Sequence, residues 1–131
     1  MKVLALDYGR ARTGVAVSDP TGTIARPLCV VAEAATGDGL ARLAALIAEH
    51  EVDRVVVGLP LTLRGNRGEQ ARETERFVEA LSDVTSVPVV TFDERFTTDL
   101  AEQTPSDAPE DARAAAHLLS GYLTWASSAP A

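Results

Sequence analysis

LALDYGRARTGVAVSDPTG, residues 4–22, decides the fold. Two short apolar runs, 2–7 and 13–18, flank a glycine-containing turn, so the stretch reads as a β-hairpin. The first run ends on a bare carboxylate, Asp7, with Gly9 and Gly14 close behind. A carboxylate closing a core strand is costly unless it is paired, hydrogen-bonded or bound to a cation. Two readings therefore stand for Asp7: an acceptor for the turn amides of Tyr8 to Arg10, or part of a site. Gly9 and Gly14 likewise either close a tight hairpin or let the backbone turn beside a substrate.

Outward from the hairpin, TIARPLCVV (23–31) reads as a third strand, which Pro27 restricts to an edge or a bulge. GDGLARLAALIAEHE (37–51) places Leu40, Leu43, Ala44 and Ile47 on one face of a helix. DRVVVGLPL (53–61) is a β-branched run without alternation, as in a strand buried on both faces. A helix after RGNRG turns Ala71, Thr74, Phe77, Val78 and Leu81 inward, and SVPVVTFDE (86–94) is a fifth strand. The last helix runs from about Pro109 to Trp125. The order β-β-β-α-β-α-β-α predicts an α/β fold: a five-stranded mixed sheet with helices on both faces. One domain spans 1–126, and 127–131 reads as a disordered tail.

In such a sheet, ligands gather beyond the carboxyl ends of the parallel strands. Strand one ends at Asp7 and strand five at Asp93-Glu94-Arg95. In the last helix Asp111, Ala115, Leu118, Tyr122 and Trp125 share a stripe, so Asp111 faces the sheet. Asp107 and Glu110 have capping-box spacing ahead of it. Asp7, Glu94 and Asp111 are thus expected to meet at one sheet edge. Hard oxygen ligands without Cys or a placed His select Mg²⁺ or Mn²⁺. His50 and His117 read as helix residues.

Composition sets limits. The chain has 131 residues, 46% of them apolar, which is enough for a core in one domain. No apolar run has the roughly 18 residues of a membrane span, and the N-terminus does not read as a signal peptide. The single cysteine, Cys29, excludes an internal disulfide and points to the cytoplasm. The net charge of −7 argues against a strong grip on nucleic acid, because phosphate affinity comes from cations. Of the twelve cations only Lys2 is lysine, and arginine suits bidentate phosphate contact.

LALDYGRARTGVAVSD, VVVGLPLTLRGNRGEQA, VPVVTFDERFTT and DARAAAHLLSGYL, in this order, resemble the signature blocks of the YqgF family, the Holliday-junction-resolvase-like pre-16S rRNA nucleases. The resemblance covers about residues 2–123. It implies an RNase H-like fold and a hydrolase of the cytoplasm that matures the 5′ end of 16S rRNA in ribosome biogenesis. It also implies divalent-metal-dependent cleavage of phosphodiesters by Asp7, Glu94 and Asp111, each both catalytic and a metal ligand, with Mg²⁺ or Mn²⁺ as cofactor. GLPL stands where many RNase H-like nucleases carry a fourth acid, and Glu94 takes that place. The segment TDLAEQTPSDAPED (98–111) is short and acidic where the family is longer and basic. Nucleic-acid grip is left to Arg10, Arg12, Arg64, Arg67 and Arg95, each of which alternatively partners a carboxylate or is a solvated charge. The expected partner is RNA, a pre-16S rRNA on or off the ribosome, or branched DNA, for a protein that is a monomer or weak dimer and not at a membrane. Three other readings remain: a DNA junction resolvase, a non-catalytic ribosome-assembly module, and an ATP-binding domain like one half of the actin and Hsp70 group.

Overall fold

The computed structural model describes residues 1–60, 68–93 and 108–128. The elements are β1 (Val3–Asp7), β2 (Arg12–Ser18), β3 (Ala25–Ala32), α1 (Gly37–Glu49), β4 (Arg54–Leu59), α2 (Glu69–Ser82), β5 (Val89–Asp93) and α3 (Glu110–Ser128). One five-stranded sheet runs β3-β2-β1-β4-β5. β1, β2 and β3 are antiparallel neighbours, whereas β4 lies parallel to β1 and β5 parallel to β4. The carboxyl ends of β1, β4 and β5 therefore share one edge.

Strand alternation divides the core in two. Leu4, Leu6, Val15, Val17, Val55 and Val57 face α1 and α2, where Leu43, Ile47, Phe77 and Leu81 close over them. Val3, Ala5, Ala16, Val56 and Phe92 face α3, which contributes Ala115, Leu118, Leu119 and Tyr122. The two sides differ in side-chain size. Branched aliphatics fill the α1/α2 side, while alanines on both partners let α3 lie close to the sheet.

Pro27 has the predicted consequence. β3 is an edge strand, and the β2–β3 register shifts beside Val15 and Ala16, which pair with Cys29 and Pro27. Pairing there skips Leu28, a bulge that spares the ladder from needing a proline N–H. At the other end of β1 the buried Ser18 Oγ accepts from the Val3 amide at 2.8 Å and donates to the Asp19 carbonyl. Thr36 caps α1 by accepting from Gly39 N, and His50 is its C-cap residue.

Two expectations need correction. Trp125 does not join the buried stripe of α3: it is 50% exposed, and the buried residues are Ala112, Ala115, Leu118, Leu119 and Tyr122. The helix periodicity continues into the last turns, and the Trp125 ring lies at the margin of the core, its centroid 5.6 Å from that of Phe92 in β5 and half of it open to solvent. The helix also runs past its expected end near Trp125, continuing through Ser128. Asp107 of the expected capping box lies outside the described residues.

Candidate nuclease site

Asp7 is the last residue of β1, and alternation from Val3 and Ala5 puts it on the α3 side. Its neighbour in the antiparallel register is Gly14 of β2. Gly14 is where α3 comes down: a Cβ there would overlap the Asp111 carbonyl oxygen and crowd the Ala112 amide. A missing side chain in β2 thus seats the first turn of α3 beside Asp7, and Asp111 arrives with it. Gly14 serves neither as a turn nor as a bare surface for substrate; it admits a helix.

Asp7 senses its neighbour. Burial raises the Asp7 pKa above its ordinary 3.8, and the negative charge of Asp111 raises it further. One turn amide goes elsewhere: the Gly9 amide points to Thr13 Oγ1 at 3.4 Å, and Thr13 Oγ1 lies equally far from the Gly9 carbonyl. Of the expected acids, the described residues bring Asp7 and Asp111 to one edge of the sheet.

The hairpin arginines are both engaged. Arg12 Nε lies 3.2 Å from Asp111 Oδ2. Arg10 binds Glu73 of α2, a contact that holds the Glu73 carboxyl below its ordinary pKa. Tyr8 stacks on Phe77, ring centroids 4.4 Å apart, so the hairpin tip is packed as well as paired to α2. Burial and then the Glu73 charge push the Tyr8 phenol up. Arg10 and Arg12 thus follow the carboxylate-partner alternative that the sequence left open. Their Arg10–Glu73 and Arg12–Asp111 partnerships depend on strand register and helix docking, which no local motif carries.

Glu94, Arg64, Arg67 and Arg95 lie outside the described residues. Among the described residues, no three His, Cys, Asp or Glu side chains gather as a cation site. The pair Asp7–Asp111 supplies hard oxygen donors, and its own repulsion is what a divalent cation would relieve. The donor chemistry fits Mg²⁺ or Mn²⁺. No helix among the described residues is long and apolar enough to cross a membrane.

The comparisons agree with this architecture. A relative from Chloroflexus aggregans, provisionally named a pre-16S rRNA nuclease, is 50% identical over 101 residues, covering 77% of this chain and 71% of the relative. One from Anaeromyxobacter with the same name is 44% identical over 132 residues, covering 94% and 96%. Among solved structures, Thermus thermophilus RuvC in complex with a Holliday junction substrate superposes with a TM-score of 0.69 at 17% identity, covering 97% of this chain and 95% of that one. That likeness establishes an RNase H-like fold. The profile of the RuvX family, described as Holliday junction resolvase, matches residues 1–124. With two acids at the carboxyl edge of an RNase H-like sheet and a match over nearly its whole length, the chain belongs to the RuvX (YqgF) family of nucleases.

Proposed function

We propose that this protein is a divalent-cation-dependent endonuclease that trims the 5′ end of precursor 16S rRNA in the cytoplasm. The observation that carries the reading is the convergence of Asp7 and Asp111 across Gly14, which leaves two repelling carboxylates at the sheet edge where ligands gather. Asp7 and Asp111 would hold Mg²⁺ or Mn²⁺, with Glu94 assigned as third ligand from its place in FDERFTT. Such cations activate water as a nucleophile and stabilise the departing oxygen of a phosphodiester. Asp7 is anchored by the β1–β2 ladder and Asp111 by the first turn of α3, so neither needs reordering to act. Arg10 and Arg12 sit at the same edge, where a guanidinium fork orients a phosphate. Arg64, Arg67 and Arg95 are assigned the same role from sequence. The protein would act as a monomer or weak dimer.

The family description keeps branched DNA in view as a substrate. The experiment therefore has two substrates: a 5′-extended 16S precursor and a four-way DNA junction, each with Mn²⁺ or with EDTA. Cleavage of the precursor by the wild type in Mn²⁺, absent in EDTA and absent for Asp7→Asn and Asp111→Asn, is expected. Cutting of the junction alone would replace RNA by DNA as substrate. Cutting of neither would leave a binding module for ribosome assembly and end the enzymatic reading. Undiminished cleavage by Asp7→Asn would remove that residue from the machinery.

A further inference from the structure

The Asp111 carboxylate is already in use. Arg12 is the first residue of β2 and alternates with Gly14 and Ala16, so it lies on the α3 side of the sheet. Its Nε reaches Asp111 Oδ2 at 3.2 Å. Both partners rise from ordered elements that Gly14 holds together, so the pair is set by the fold. The Arg12 side chain is 70% exposed and that of Asp111 37%, which leaves the guanidinium room to swing outward. Asp7 shares the edge and takes no ion pair among the described residues.

We propose that Arg12 is a positioning residue that occupies Asp111 until a divalent cation displaces it, so that cation loading releases the guanidinium for a substrate phosphodiester. This rests on the cation-binding reading above. The exchange breaks no covalent bond: a singly charged group leaves the carboxylate and a doubly charged ion enters. Arg12 then faces outward at the mouth of a site that now carries more positive charge. Cation and polyanion binding become coupled through one side chain, each favouring the other by the same factor. Arg10 is the contrasting case, because its partner Glu73 belongs to α2 and not to the acid pair.

The test is a Mn²⁺ titration of the full chain without nucleic acid, with free Mn²⁺ read by EPR. Wild type, Arg12→Gln and Arg10→Gln are compared, and circular dichroism in EDTA checks that each is folded. Arg12→Gln should bind Mn²⁺ about two- to five-fold more tightly, the scale of an exposed ion pair. Arg10→Gln removes one charge from the same hairpin without freeing Asp111, and should match the wild type. Equal affinity of wild type and Arg12→Gln overturns the exchange while leaving the cation reading intact. Equal tightening by both variants reduces the effect to net charge and also overturns it. No Mn²⁺ bound by either wild type or Arg12→Gln overturns the cation reading and the exchange with it.

Discussion

Asp7 sits where a carboxylate is least at ease, at the end of a buried strand and beside a second acid. A carboxyl whose pKa folding raises is favoured protonated in the folded state. Its contribution to stability is therefore full at low pH, and is lost as pH rises from the ordinary 3.8 through the raised value. Above that window the folded chain carries the cost of an ionised Asp7. Asparagine has the same shape and no charge. Metal-free Asp7→Asn should accordingly be more stable than wild type at pH 7, by about 0.5–2 kcal/mol. The difference should vanish near pH 3, and Mn²⁺ should raise the melting temperature of the wild type but not of the variant. Thermal melts at several pH values in EDTA and in Mn²⁺ check this; equal stability at pH 7 would show that Asp7 is not strained. This residue was legible in LALDYG, because a strand-final acid has few structural excuses. Its partnership with Asp111 was legible as far as helix periodicity could place the latter on the sheet side. The Arg12–Asp111 pair was not, since it needs the β2 register and the docking of α3 at once.

At the scale of elements, the α3–sheet contact sets the site. Ala5 and Ala16 meet Ala115 in one core layer, and Gly14 receives the Asp111–Ala112 backbone. Gly14→Ala puts a methyl group where the Asp111 carbonyl lies, so the first turn of α3 must lift. An overpacked contact of this kind costs about 1–3 kcal/mol. Urea unfolding should show that loss, and Mn²⁺ affinity should fall with it because Asp111 moves away from Asp7. Unchanged stability together with unchanged Mn²⁺ binding would mean that the helix is not seated through this glycine. The order of elements could be read from the sequence because each has its own periodicity and its own punctuation. Val55 to Val57 announce a strand buried on both sides, and Pro27 announces an edge with a bulge. What the pattern could not disclose was Gly14. A glycine two residues into a strand after a turn looks like hairpin chemistry, and only the arrival of a helix from the far end of the chain gives it another purpose. Trp125 fails in the opposite direction: its spacing is that of the core stripe, but only one side of its ring meets the sheet, at Phe92, and half of it stays in solvent.

The whole molecule carries a net charge of −7 and is asked to hold a polyanion. Its long-range field repels nucleic acid, so affinity has to come from local cations at the working edge. Five arginines are assigned there, and the two among the described residues, Arg10 and Arg12, already face Glu73 and Asp111. A phosphate contact made by either one exchanges a carboxylate for a phosphate and gains less than a free guanidinium would. Binding of single-stranded RNA in EDTA should therefore be weak and only moderately dependent on salt. Each phosphate neutralised on a single strand contributes about −0.7 to the slope of log K against log salt, so five contacts cap it near −3.5. Fluorescence anisotropy with a labelled precursor fragment across a monovalent salt series measures the slope directly. A value between zero and that cap is expected, and Arg12→Gln should leave it unchanged in EDTA, where Asp111 still holds the guanidinium. A steeper slope would mean that cations outside the five assigned arginines carry the interaction, and that the substrate path does not run along the carboxyl edge of the sheet.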